Sequence, residues 1–166
     1  MSELSDNSEE SNSPESQVPG ELVGREFLGR YRLLESVGKG GMSVVYKALH
    51  LKMDRIVAVK VLSKSLAHDE AQVRLFNKEA FASSRLAHPN TIKVFDFGES
   101  EDGYLFIVME HLDGETLGAL LRRGGAISLG KVFRIMRQIC KSLAEAHSVG
   151  IIHRDLKPEN IFITNI

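Results

Sequence analysis

Asp155, Lys157 and Asn160 stand within six positions in the stretch HRDLKPENI, and their side chains have complementary capacities. A carboxylate accepts a proton, an ammonium group neutralises phosphate, and an amide oxygen holds a hard cation such as magnesium. Such a set suits phosphoryl transfer. Pro158 lies among them and excludes a regular helix, so the three residues belong to a loop. Taken as a bare triplet, they equally describe a polar turn.

Two further features fit the same chemistry. Lys60 lies within the apolar run VAVK, where an unpaired ammonium group is costly to bury. Glu79 follows next to Phe76 and Ala80 on the apolar side of a helical pattern, and is a candidate countercharge; alternatively, Lys60 extends to solvent and Glu79 is a surface residue. In VGKGGMSVVYKA, Gly38, Gly40 and Gly41 separate two β-prone runs and let backbone amides approach an anion. The cluster is also an ordinary hairpin turn. A dinucleotide-binding fingerprint does not fit, because a strand rather than a helix follows the glycines.

The elements that position these residues are legible in the periodicity. YRLLESVGKGG and MSVVYKALH form a hairpin, and RIVAVKVL at 55–62 is a third strand covered on at least one face. The spacing of Val73, Phe76, Ala80, Leu86 and Ala87 predicts a helix of about five turns over 69–87. HPNTIKVFDFGES and GYLFIVMEHL supply two more strands, joined by a turn at Glu101, Asp102 and Gly103. The fold expected is therefore α+β, with a five-stranded antiparallel sheet and one long helix before residue 113. After a short helix in DGETLGALLRRGG comes a long amphipathic one from Ser128, its N-cap, to Gly150, its stop. Val132, Ile135, Met136, Ile139, Cys140, Leu143 and His147 share one side of it.

Composition narrows the function classes. Residues 1–24 carry six acidic residues, no Lys or Arg and few large apolar side chains, and are expected to be a disordered leader. The remaining chain holds all 21 Lys and Arg against 16 acidic residues, an excess that suits a nucleotide but is too scattered for nucleic acid. Cys140 is the only cysteine, which excludes an internal disulfide framework and fits a reducing, cytoplasmic compartment. No run approaches the length of a membrane span, so no membrane segment is expected.

The ordered combination of GKGGMSVVY, VAVK, Glu79, HPN, VMEHLDGETL and GIIHRDLKPENI resembles the protein kinases, and most of all the serine/threonine kinases of bacteria, from Tyr31 to Ile166. The resemblance implies an N-lobe at 25–112 and a hinge with the start of a helical C-lobe at 113–166. It implies ATP and Mg2+ as cofactors and Ser/Thr hydroxyls of proteins as substrates. Gly38, Gly40 and Gly41 would cover the phosphates, Lys60 would hold the α- and β-phosphates, and Glu79 would orient Lys60. Asp155 would accept the substrate proton, Asn160 would bind the second magnesium, and Lys157 would contact the transferring phosphate. By the same resemblance Val45 and Ala58 roof the adenine, Met109 is the gatekeeper, Glu110 and Leu112 supply hinge backbone, and Phe162 belongs to the floor. Glu115 or Asp113 would reach the ribose.

Ser43 stands where the family's third loop glycine usually lies. The family's metal-binding Asp-Phe-Gly would fall just past Ile166, whereas the DFG at Asp96, Phe97 and Gly98 precedes the catalytic loop and is given no metal role. The expectation is that this polypeptide alone is catalytically incomplete, and that the apolar face of its long helix is an association surface. The competing reading is a truncated pseudokinase that binds nucleotide or a partner.

Overall fold

The computed structural model describes residues 22–124 and 126–164. Most of the segment expected to be a disordered leader lies outside these residues. Its last part does not behave as leader: Leu22 is buried in the core, and the Gly24 amide donates to the Leu33 carbonyl at 2.7 Å.

A six-stranded antiparallel sheet replaces the five strands expected. Its members are β1 (Glu26–Phe27), β2 (Tyr31–Lys39), β3 (Ser43–His50), β4 (Arg55–Leu62), β5 (Val94–Glu99) and β6 (Leu105–Glu110), in the order β1-β2-β3-β4-β6-β5. The additional strand, β1, is two residues long and turns into β2 through Leu28 and Gly29, at φ 52° and 57°. A leucine in the left-handed region is uncommon, so the usual hairpin signal of Asn-Gly or Asp-Gly is missing.

Alternation along the strands sorts the core into two layers. Tyr31, Leu33, Tyr46, Ala48, Val57, Val59, Val61, Phe106 and Val108 share one face with Phe27, Leu22 and Tyr104. Phe27 and Phe106 are almost fully buried with ring centroids 5.4 Å apart, and each such side chain contributes about 1.5–3 kcal/mol by leaving water. On the opposite face Leu62 and Ile107 pack with Phe76 and Ala80 of helix α1 (Glu70–Ser84). β4 is thus covered on both sides, as its near-continuous apolar run requires.

Asp69 caps α1 by accepting the Ala71 and Gln72 amides at 2.8 and 3.3 Å. The helix ends at Ser84, about a turn short of the length expected, and Leu86 and Ala87 lie in the loop that follows. That loop is held by the long helix α3 (Leu129–Ser148). Glu145 accepts the Ala87 amide at 2.9 Å, Asn90 donates to Gln138 at 3.4 Å, and the Thr91 and Ser142 hydroxyls meet at 2.6 Å. Ser128 caps α3 by accepting the Lys131 amide, and Gly150 at φ 77° follows its end. Of the apolar face expected on α3, Ile135, Ile139 and Leu143 are half-buried, whereas Val132, Met136, Cys140 and His147 are exposed.

Between the sheet and α3 run strand β7 (Gly114–Thr116) and helix α2 (Leu117–Gly124); strand β8 (Phe162–Thr164) follows the loop that carries Asp155, Lys157 and Asn160 and pairs with β7. Neither short strand has enough residues to show a period. Gly114 makes the pairing possible, because at φ 148° a Cβ would stand 2.1 Å from the Ile163 carbonyl oxygen. No helix among the described residues is long and apolar enough to cross a membrane.

Candidate active site

Strand register gathers the first group of candidate residues. Gly38 pairs with Val45, Val45 with Lys60, and Ala58 with Met109, so four adjacent strands present these side chains or, for Gly38, its backbone on the face that also packs against α1. Ala58 is buried, and Val45 and Met109 are half-buried. Lys60 Nζ lies 2.6 Å from Glu79 Oε1 and 5.9 Å from the Phe76 ring centre. Lys60 therefore does not snorkel to solvent: its side chain is 22% exposed and Glu79 is its countercharge.

The glycine hairpin is pinned at its base, where the Gly40 amide donates to the Ser43 carbonyl at 2.8 Å and the Ser63 amide to the Met42 carbonyl at 2.9 Å. Gly38, Gly40 and Gly41 all lie outside the left-handed region, and an added Cβ would meet only ordinary contacts at Gly38 and Gly40 and open space at Gly41. Folding of the described residues alone does not require glycine at these three positions. Bare backbone facing open space is what a bound polyphosphate would use.

The second group is held by its own loop. Arg154 takes φ 61°, and the Asp155 amide reaches back to the His153 carbonyl at 2.8 Å, a tight turn that a non-glycine residue adopts only under some strain. Asn160 sits in the short 3-10 turn Pro158–Asn160, and its amide nitrogen donates to Asp155 O at 2.8 Å and Oδ2 at 2.9 Å. Lys157 Nζ lies 2.9 Å from the same Oδ2. These contacts, that of Lys157 first and that of Asn160 second, hold the Asp155 carboxyl below its ordinary value of 3.8. Its Oδ1 has no hydrogen-bond partner among the described residues.

The remaining candidates divide. Glu110 closes β6 with its carboxylate accepting the Lys93 amide at 2.7 Å, so its side chain is used structurally; Leu112 is half-buried just beyond. Phe162 lies on β8 opposite Thr116 rather than on the large sheet. Asp113 is exposed, and Glu115 takes Arg123 at 2.6 Å.

The arginines of α2 are contributors that the sequence did not signal. Arg122 reaches Glu159 of the catalytic loop at 3.3 Å while its neighbour Arg123 holds Glu115, so one helix end ties the loop to the strand after β6. Gly118 permits the approach, since a Cβ there would stand 2.7 Å from Glu159 Oε1. Asp96 of the early DFG has an architectural task, accepting Arg30 Nη2 at 2.9 Å and the Tyr31 hydroxyl at 3.0 Å across the sheet. Among the described residues no cluster of three His, Cys, Asp or Glu is placed to hold a metal.

Comparison with known proteins agrees with this geometry. The family described as protein kinase domain matches residues 31–166. The chain is 47% identical over 143 residues to serine/threonine-protein kinase pkn3 of Myxococcus xanthus, covering 86% of this chain and 26% of that one. It is 41% identical over 145 residues to serine/threonine-protein kinase PrkC of Bacillus subtilis, covering 87% and 22%. The chain thus spans about a quarter of the length of these curated relatives. The crystal structure of the Mycobacterium tuberculosis PknI kinase domain superposes with a TM-score of 0.73 at 34% identity, covering 85% of this chain and 56% of that one. Matching motifs, register and architecture together place the chain in the protein kinase family, among relatives that are bacterial serine/threonine kinases.

Proposed function

We propose that this chain supplies the nucleotide-binding and catalytic-loop part of a protein that transfers the γ-phosphoryl group of ATP to serine and threonine hydroxyls of protein substrates in the cytoplasm. The observation that carries this reading is the state of Asp155: one carboxylate oxygen is fixed by Lys157 and Asn160, and the other is open. A carboxylate held ionised and aimed by its neighbours is suited to accept a hydroxyl proton as the oxygen attacks phosphorus. Lys157, beside it, is placed to balance charge on the transferring group, and Asn160 has a carbonyl oxygen to offer a metal. Lys157 two residues after the aspartate is also the feature that favours serine and threonine over tyrosine.

The residues present fit the nucleotide. Gly38, Gly40 and Gly41 would meet its phosphates, and Lys60, steadied by Glu79, would pair with two of them. Val45, Ala58 and Met109 offer an apolar surface for the base, with Leu112 and the Glu110 backbone at its edge and Phe162 on the far side. Asn160 would hold one magnesium ion, which when bound supplies charge neutralisation at the phosphates. Because phosphoryl transfer depends mainly on positioning and electrostatics, most of the protein's task is orientation.

The test, made on the whole protein and not on this chain alone, is transfer of labelled γ-phosphate to serine-, threonine- and tyrosine-containing peptides. Transfer to serine and threonine that falls at least about 100-fold in Asp155→Asn, with nucleotide binding retained, is expected. Preferred transfer to tyrosine, or an unimpaired Asp155→Asn protein, would overturn the proposal. Nucleotide binding with no transfer would favour a regulatory pseudokinase instead.

A further inference from the structure

We infer that the acidic N-terminal segment, residues 1–21, docks on a cationic ridge of α3 in the same chain. The ridge consists of Lys131, Arg134, Arg137 and Lys141, all exposed and without a carboxylate partner among the described residues. At 3.6 residues per turn, Arg134, Arg137 and Lys141 fall within a sector about 60° wide, and Lys131 lies about 60° beyond. The only acidic residue of α3 is Glu145, which is engaged with the Ala87 amide. Next to the ridge Gln138 and Ser142 face the loop after α1, and on its other side lie exposed Val132, Phe133 and Met136. Gly130, Phe133, Arg134 and Arg137 line a shallow depression of about 270 Å³ at the start of the helix.

The occupant is set by charge and reach. Residues 1–21 carry Glu3, Asp6, Glu9, Glu10, Glu15 and Glu21 and no Lys or Arg, so the most acidic stretch of the chain complements its most cationic helix. The segment joins the folded body at Leu22, which is buried in the core. Extended, 21 residues span up to about 70 Å, and a folded body of this size is roughly 40 Å across. Tethering raises the local concentration of the segment to about the millimolar range, where weak ion pairs can hold it at low salt. Interactions of this kind are screened as ionic strength rises.

Cys140, the single cysteine, is exposed on α3 between Arg137 and Lys141 and offers a reporter position. A nitroxide attached there is expected to cut the amide NMR intensities of the segment at least twofold relative to the reduced label in low salt. The intensities should return in about 0.5 M NaCl, in K131Q/R134Q/R137Q/K141Q, and in E3Q/D6N/E9Q/E10Q/E15Q/E21Q. The last variant leaves the folded body untouched, so the test survives if the ridge variant does not fold. Full intensity in the unmodified chain, or broadening that persists after either neutralisation, would overturn the proposal. Broadening transferred from spin-labelled copies to unlabelled isotope-enriched copies would assign the ridge to a second chain and equally overturn it.

Discussion

Asn160 closes the catalytic loop on Asp155, donating one amide nitrogen to both the backbone oxygen at 2.8 Å and Oδ2 at 2.9 Å across five residues. The side-chain carbonyl of Asn160 is thereby turned away from the aspartate and left for another partner. On the proposed function a single residue would orient the base and offer a metal ligand, so Asn160→Ala should act on both tasks. Weaker magnesium-dependent nucleotide binding, read by titration with and without the metal, should accompany a mobile Asp155 seen as lost loop amide dispersion. Unchanged magnesium dependence would separate the two roles.

The lowered pKa of Asp155 has a direction that can be measured. Since Lys157 and then Asn160 favour the charged form, their stabilising effect is present above the ordinary value of 3.8 and is lost as pH falls through the lower folded value. Carboxyl NMR titration should place the Asp155 midpoint below 3.8, and Lys157→Met should move it upward. A midpoint unmoved by the substitution would remove Lys157 as the principal cause.

The pair Lys60 and Glu79 should matter more for ligand than for fold. Glu79 is 53% exposed, so solvent screens the 2.6 Å contact and Glu79→Gln should cost less than about 1 kcal/mol of stability. On the proposed function Lys60→Met would remove a charge-assisted contact to phosphate worth about 1.5–3 kcal/mol, and ATP affinity should fall about 10- to 100-fold. Calorimetric titration alongside thermal melting would distinguish the two effects.

What the sequence made legible follows the range of the interactions involved. RIVAVKVL reads as a buried strand with an anomalous lysine from eight contiguous residues, and Ser128 and Gly150 mark the ends of α3 because caps are local chemistry. The pairing of Lys60 with Glu79 was open from spacing alone, since it depends on how α1 lies on the sheet. Strand β1 hid behind a leucine at positive φ, and β7 and β8 are three residues each, fixed by each other and by Gly114 rather than by any period. The end of α1 was overextended because Leu86 and Ala87 continue its apolar spacing while the loop is drawn to Glu145 of α3. Long-range partners decide these cases, and a local pattern does not contain them.

Two glycines should separate folding from binding. Gly114→Ala places a Cβ 2.1 Å from the Ile163 oxygen at a φ of 148°, and should destabilise the protein by about 1–3 kcal/mol or more through loss of the β7–β8 pairing. Gly41→Ala meets open space and should leave thermal stability within about 0.5 kcal/mol while weakening ATP binding. A Gly41→Ala protein with unchanged nucleotide affinity would argue that the hairpin does not enclose the phosphates.

Asp96 provides the control on the duplicated Asp-Phe-Gly letters. Its carboxylate joins Arg30 and Tyr31 at the start of β2 to β5, with side chains 39% and 29% exposed in the ion pair, so it works at the edge of the sheet and not beside the catalytic loop. Asp96→Ala should therefore cost about 1–2 kcal/mol of stability, a shift of several degrees in Tm, and leave magnesium-dependent ATP affinity unchanged. Burial first, and the bond to Asp96 second, raise the pKa of the Tyr31 phenol, so its ultraviolet titration should shift downward in the same variant. A loss of magnesium dependence without loss of stability would reverse the assignment and make Asp96 a metal ligand.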